Sequence, residues 1–170
     1  PGQLEQLGRQ LDLVHGFVDR IHLQPDQALA WQRLNAAMHL LDHLQRLHER
    51  CDEEPERGLQ LLRAPALEGT AKTFLKQLQQ IRSQMSRHAF ADAERVGGGA
   101  AGDLRQQAGD LRAALMAEVA TGRLDVPTGT RSLESVRWVR RVSYHVWRVA
   151  HHAAVLKGSQ LPDRSYSVTQ

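Results

Sequence analysis

The first 21 residues carry apolar side chains at every third or fourth position. This spacing places them on one stripe of an α-helix, whereas Pro25 disfavours helical geometry in the residue before it. We therefore predict a first helix that ends near Gln24 and a second that begins with Pro25 as its first residue. The stripe of the first helix comprises Leu4, Leu7, Leu11, Val14, Val18 and Ile21.

Three further segments repeat this helical spacing, and none alternates as a half-buried strand would. The second helix is expected to end in the charged stretch 52–58, and the third to run from Pro65 to about Val96. A fourth then runs from about Leu104 to near Gly122. With a fifth helix that follows the turn after it, the sequence predicts an all-α, antiparallel bundle of about five helices.

Two segments are expected to lie outside helices. The triple glycine 97–99 favours a flexible connector, because it lacks the following Lys and Ser/Thr that a nucleotide-binding loop requires. The fifth helix should span about 131–157 and stop at Gly158, which leaves residues 159–170 as a flexible tail. The bundle is therefore assigned to residues 1–158.

Composition narrows the class of protein. The chain has one cysteine, which excludes an internal disulfide, and no run of about 20 apolar residues that could span a bilayer. It begins at Pro1 without an initiator methionine, so we expect a soluble fragment of a longer protein. Residues 1–60 hold 6 basic and 10 acidic residues, whereas residues 125–170 hold 7 and 3. The basic C-terminal part favours an acidic protein or a lipid-headgroup surface as the partner, rather than nucleic acid.

The candidate chemistry does not favour an enzyme. His39 and His43 lie four residues apart with Asp42 between them, but zinc normally requires at least three protein ligands. These three are weak metal candidates, and we expect neither a metal nor a cofactor. Cys51 lies among acidic residues that disfavour its thiolate. We therefore expect no catalytic residues.

The segment 138–152 carries the most distinctive pattern. One stripe is apolar, and a second combines basic and aromatic residues, which are enriched in protein contacts and at membrane surfaces. We predict a contact surface formed by Trp138, Arg141, His145, Trp147 and Arg148. The alternative is a wide buried face whose arginines extend past the tryptophans to water. Histidines 145, 151 and 152 should add charge below about pH 6.5.

An internal repeat is suggested by an offset of 102 residues. It aligns the second helix with the fifth, places His43 on His145 and Arg46 on Arg148, and matches apolar positions around them. Repeats of 1–60 and 61–158 would account for this agreement, although two amphipathic helices also match by chance.

This arrangement resembles the PhoU-like domains, regulators of bacterial phosphate uptake whose helices carry a motif close to L-E-R-I-x-D-H. The metal-binding acidic pair of that motif falls on Met38 and Asp42 in one copy, and on Arg140 and Tyr144 in the other. Three of the four acidic positions are thus absent, and a cationic Arg140 opposes cation binding. The likeness is most specific over residues 116–153, which are similar to the C-terminal region of bacterial sodium/phosphate cotransporters.

The resemblance implies a non-catalytic regulatory domain of a sodium-dependent phosphate transporter. Its partners would be the membrane domain, in the same polypeptide, and an anionic membrane surface, with a location at the cytoplasmic face. Two alternatives stay open: a divergent metal-binding PhoU-type regulator that uses Asp42, His39 and His43, and a generic helical scaffold that forms a homodimer.

Overall fold

A computed structural model describes residues 2–158, and within this range the chain forms six α-helices and no strand. The all-α prediction is confirmed. The helices are α1 (Gln3–Val18), α2 (Ala28–Glu53), α3 (Pro55–Arg63), α4 (Glu68–Ser86), α5 (Phe90–Ala120) and α6 (Val126–Leu156), with one 3-10 turn at Pro65–Leu67. The tail predicted for residues 159–170 lies outside the described residues. No helix in the described part of the chain is long and apolar enough to cross a membrane.

Helix α6 lies at the centre of the packing. Its most extensive contacts are with α5 and then with α2, and it also packs on α3 and α4, whereas α1 packs chiefly on α2. The apolar stripe predicted for this helix is confirmed by Val139 and Val142, which are buried in the main core. The core also contains Leu61, Leu67, Ala71, Phe74, Leu104 and Leu115. A smaller cluster joins Ile81, Ala93 and Ala150 at the other end.

Local signals set the start of α6. The Asp125 side chain accepts a hydrogen bond from the Thr128 backbone N–H at 2.9 Å, which caps an otherwise unsatisfied donor at the helix start. Pro127 lies in the first turn, where its missing N–H carries no cost. Gly122 has a φ of 73°, the left-handed geometry that glycine adopts without strain. These residues make the tight connection that returns α6 along α5.

The predicted connector at residues 97–99 is wrong, because α5 runs through the three glycines without a break. A Cβ at Gly97 would lie 3.1 Å from the Trp147 Cα, and a Cβ at Gly98 would lie 3.1 Å from the Trp147 Nε1. The glycines thus let α5 approach α6 closely at this tryptophan. The chain turns instead between α4 and α5, where His88 has a φ of 60°.

The second helix ends within the charged stretch 52–58 as predicted, since its last residue is Glu53. A short helix that was not predicted, α3, begins directly after it with Pro55 at the position where proline is tolerated. The Glu54 carboxylate between them accepts from Arg50 at 2.8 Å and Arg57 at 2.7 Å, so the charges hold the corner together. Two other boundaries differ from the prediction: the first helix stops at Val18 rather than near Gln24, and the second begins at Ala28 rather than at Pro25.

Candidate functional site

Helices α2 and α6 cross at a group of four histidines, which we call the histidine cluster: His39, His43, His145 and His152. The rings of His39 and His152 stack with centroids 5.2 Å apart, and His43 lies 5.6 Å from His152 and 5.2 Å from His145. The weak metal candidates on α2 are thus joined by histidines of α6. His43 and His145 are also the pair that the 102-residue offset aligns; the repeat itself stays a prediction.

Hydrogen bonds restrict which ring nitrogens of the cluster can carry protons. The Nδ1 atoms of His43 and His145 lie 3.1 Å apart, which is a hydrogen bond only if one nitrogen is protonated and the other is bare. Arg148 Nη2 donates to His152 Nε2 at 3.0 Å, so that nitrogen carries no proton, because a guanidinium has only donors. His152 is therefore neutral while this bond holds, and at most one ring of the His43–His145 pair can be charged without breaking theirs.

Burial favours the neutral form of four histidines of the two helices, namely His43, His145, His151 and His152. Desolvation lowers the pKa of His43 to about 4, assisted by His145 and Arg148. Desolvation and then Arg148 lower the pKa of His152 to about 3. The pKa values of His145 and His151 are also lowered, chiefly by burial. The expectation that histidines 145, 151 and 152 gain charge below about pH 6.5 is therefore wrong, because charging them requires stronger acid.

Asp42 lies at the edge of the cluster but is bound elsewhere. Its carboxylate accepts from Arg46 Nε at 3.0 and 3.2 Å, and this hydrogen bond holds the Asp42 pKa below its usual value. The nearer carboxylate oxygen remains 4.0 Å from His43 Nδ1. Across residues 2–158, no group of three or more His, Cys, Asp or Glu side chains is arranged to hold a metal ion.

The two tryptophans of the predicted contact surface face different neighbours within the bundle. Trp138 is half-buried beside Phe74, it packs over Gly58, and its Nε1 donates to the Arg50 carbonyl oxygen at 3.2 Å. Its indole thus fills space between α3, α4 and α6 and fixes the C-terminal end of α2.

Trp147 lies on another side of α6. Its indole packs against the glycines of α5, and its Nε1 donates to Glu94 Oε1 at 3.2 Å. The Arg148 guanidinium lies 5.4 Å from the indole centroid. Sequence reasoning missed Glu94, whose carboxylate also lies 3.9 Å from His151 Nδ1. Nothing in its sequence context separates Glu94 from the other glutamates of the chain.

Three arginines remain on the outer face of α6, and we call them the arginine face: Arg137, Arg140 and Arg141. Spacings of three and four residues place them on one side of the helix, next to the exposed Tyr144. All three are exposed, and within the described residues none has a hydrogen bond or an ion pair. Of the five residues predicted as the contact surface, Arg141 is the one that belongs to this face.

Comparison with known proteins provides no assignment: no family model matches the chain, and no curated protein or solved structure shows significant similarity to it.

Proposed function

We propose that this chain is a non-catalytic regulatory domain of a sodium-dependent phosphate transporter, and that the arginine face of α6 contacts an acidic segment of the transporter. The observation that carries the proposal is the set of three exposed guanidinium groups without ion-pair partners in the described part of the chain. The PhoU-like sequence pattern supports the transporter as the partner, and the arginine face supports a contact through charged side chains.

Charge supports an acidic partner. Elsewhere in the described residues some exposed arginines are paired, for example Arg9 with Glu5 at 2.7 Å and Arg123 with Glu118 at 2.9 Å. Arginines that lack such a partner keep all five donors available for carboxylates or phosphates. Positive potential concentrated on one helix also increases the association rate with an acidic surface, and salt screens this effect.

The rest of α6 is committed to packing, which supports a contact mechanism through this face. The buried stripe fills the core, while the two tryptophans and Arg148 bind neighbouring side chains or carbonyl groups. A partner that binds the arginine face needs no rearrangement of these contacts. The domain would act as a rigid platform, with its location at the cytoplasmic side of the transporter.

The test is sodium-dependent uptake of radiolabelled phosphate by the full transporter polypeptide. A triple variant, Arg137→Gln with Arg140→Gln and Arg141→Gln, should change uptake without lowering the amount of transporter in the membrane. A matched control removes three charges from α3 and α4, whose side chains are exposed and likewise lack ion pairs within residues 2–158: Arg63→Gln, Lys76→Gln and Arg82→Gln. The control should behave as the wild type.

Three outcomes contradict the proposal. Equal phosphate uptake by both triple variants contradicts the role of the arginine face. Phosphate uptake that does not depend on sodium contradicts the transporter assignment. If the triple arginine-face variant of the purified domain no longer binds vesicles containing phosphatidylserine but still binds the transporter normally, the face contacts the membrane instead.

A further inference from the structure

Helices α1 and α2 are joined to the rest of the bundle mainly through one interface, and we call residues 3–53 the α1–α2 arm. Helix α1 packs chiefly on α2, and α2 has its most extensive contacts with α6. His48 of α2 lies against α1, with its Nε2 2.8 Å from the Leu4 carbonyl oxygen, so α1 follows a movement of α2. The main core is formed by the segments from α3 to α6, and among the described residues Leu47 is the α2 side chain that packs against it. The core can therefore stay packed when the arm moves.

Histidine rings form much of the interface between α2 and α6. Helix α2 has 26 residues, and its buried side chains are Ala36, Leu41 and His43. His43 stacks on His152 of α6 and lies within hydrogen-bond distance of His145, so these rings join the two helices directly. The fully buried apolar contribution of α2 is small by comparison, and the interface therefore depends on the protonation state of its histidines.

The surroundings of the histidine cluster oppose added positive charge. Arg148 Nη2 lies 3.0 Å from His152 Nε2, so a proton on that nitrogen would break a hydrogen bond and face a guanidinium group. The Asp42 carboxylate offers little compensation, because Arg46 already binds it. In the described residues, the charged and titratable groups around the cluster are Asp42, Arg46 and Arg50 on α2, Arg141, Tyr144, Arg148 and His151 on α6, and Glu94 on α5.

We propose that the histidine cluster is a pH-dependent switch: as the pH falls to about 5, its rings take up protons and the α1–α2 arm separates from α6, while α3–α6 remain packed. A released ring regains the ordinary histidine pKa of about 6.5, so the open state binds protons more tightly than the closed state. Acid therefore shifts the population towards the open state. Protonation of both His43 and His145 would also leave two N–H groups facing each other, which removes a contact between the helices.

The corner between α2 and α3 provides the pivot. Trp138 Nε1 donates to the Arg50 carbonyl oxygen at 3.2 Å, and the Glu54 carboxylate binds both Arg50 and Arg57. Arg50 lies about 10 Å further along α2 than His43, so this end of the helix can stay attached while the cluster separates. The switch uses the packing of α2 on α6 and not the arginine face, so it is independent of the proposed function.

The packed and released pKa values set the size of the effect. His43 has a pKa of about 4 in the packed state, so its titration favours the open state about twentyfold more at pH 5 than at pH 7. His152, with a pKa of about 3 in the packed state, contributes a similar factor. Because the two rings contact each other, several hundredfold is roughly the upper limit of their combined effect.

The test measures the distance between α2 and α6 with pairs of nitroxide labels. In a Cys51→Ser background, one label is attached at Gln32→Cys and the other at Lys157→Cys, both at exposed positions. These two helix ends are neighbours, since Leu34 and Leu156 line the same groove. Pulsed electron paramagnetic resonance should find a short distance at pH 7 and a growing longer component at pH 6 and 5, which disappears on return to pH 7.

A second label pair reports on the part of the bundle that should not move. Lys76→Cys and Arg112→Cys place labels at exposed positions of α4 and α5. Their distance should stay the same from pH 7 to pH 5, because neither helix belongs to the arm. A change at this pair would mean that acid unfolds the whole bundle, and it would overturn the proposal.

Histidine variants assign the response to the cluster. His43→Leu should lower the ratio of the long to the short component at pH 5 by about twentyfold or more. His152→Gln, whose amide oxygen can still accept from Arg148, should also lower it. His22→Gln, at an exposed position of the same arm, should respond as the wild type does. The proposal is overturned if the wild type shows no longer component at pH 5, or if both cluster variants keep the full response.

Discussion

Acidification from pH 7 to pH 5 should destabilise this fold through the histidine cluster. His43 and His152 are only 9% and 6% exposed, and their pKa values in the folded chain are about 4 and about 3, against 6.5 in an unfolded chain. Between these values the unfolded chain binds more protons, so the free energy of unfolding rises with pH. The neutral cluster is therefore fully tolerated above about pH 6.5, and stability is lost progressively as the pH falls towards 4.

The expected loss is large for a protein of this size. A His43 pKa of about 4 in the folded chain corresponds to about 2 kcal/mol lost at pH 5, and His152 contributes a similar amount. Because the two rings contact each other, 4 kcal/mol is roughly an upper bound on their combined effect, out of the 5–15 kcal/mol typical of a domain. The limit of pH 5 keeps Asp42 out of the measurement, because Arg46 holds the pKa of that carboxyl below its usual value.

Urea unfolding followed by circular dichroism at pH 7, 6 and 5 measures this loss. His43→Leu removes one titrating group and should reduce the pH-dependent part by about 2 kcal/mol at pH 5. His22→Gln, at an exposed position outside the cluster, should leave the pH dependence of the wild type unchanged. A wild-type loss below about 1 kcal/mol, or an unaltered pH dependence in His43→Leu, would refute the reasoning.

Three further predictions concern packing and metal. Gly97→Leu should lower the free energy of unfolding by about 2 kcal/mol, because the backbone of Trp147 blocks the new side chain, whereas Gly99→Ala, with open space around it, should raise it by about 0.5–1 kcal/mol in urea titrations. Trp138→Ala should cost about 3 kcal/mol by the same assay and leave partner binding unchanged in the folded protein; normal stability with lost binding would contradict this. Elemental analysis of chelator-free protein should find no stoichiometric transition metal, and metal bound near His43 would favour the metal-binding alternative.

The spacing of apolar residues predicted the all-α fold class but not every connection between helices. The stripe of α5 continues through the glycines, since Ala93, Gly97, Ala100 and Leu104 are all buried at spacings of four, three and four. The predicted connector rests on the low helix propensity of glycine alone. This penalty is only about 1 kcal/mol per residue, and packing of a large side chain against the glycine outweighs it. Gly97 is needed because Trp147, 50 positions later, packs so closely that a side chain would not fit. The sequence around the glycines cannot reveal this contact.

The predicted contact stripe illustrates a second limit. Spacings of three and four residues identify which side chains share a side of α6, but not how many helices surround it. Because α6 packs against four other helices, its buried arc is wider than the apolar stripe that contains Val139 and Val142, and it includes Trp138 and His152. The arginine face is what this packing leaves exposed. The sequence alone shows the charge of the arginine face. Only the packing of the neighbouring helices shows that Arg148 does not belong to this face.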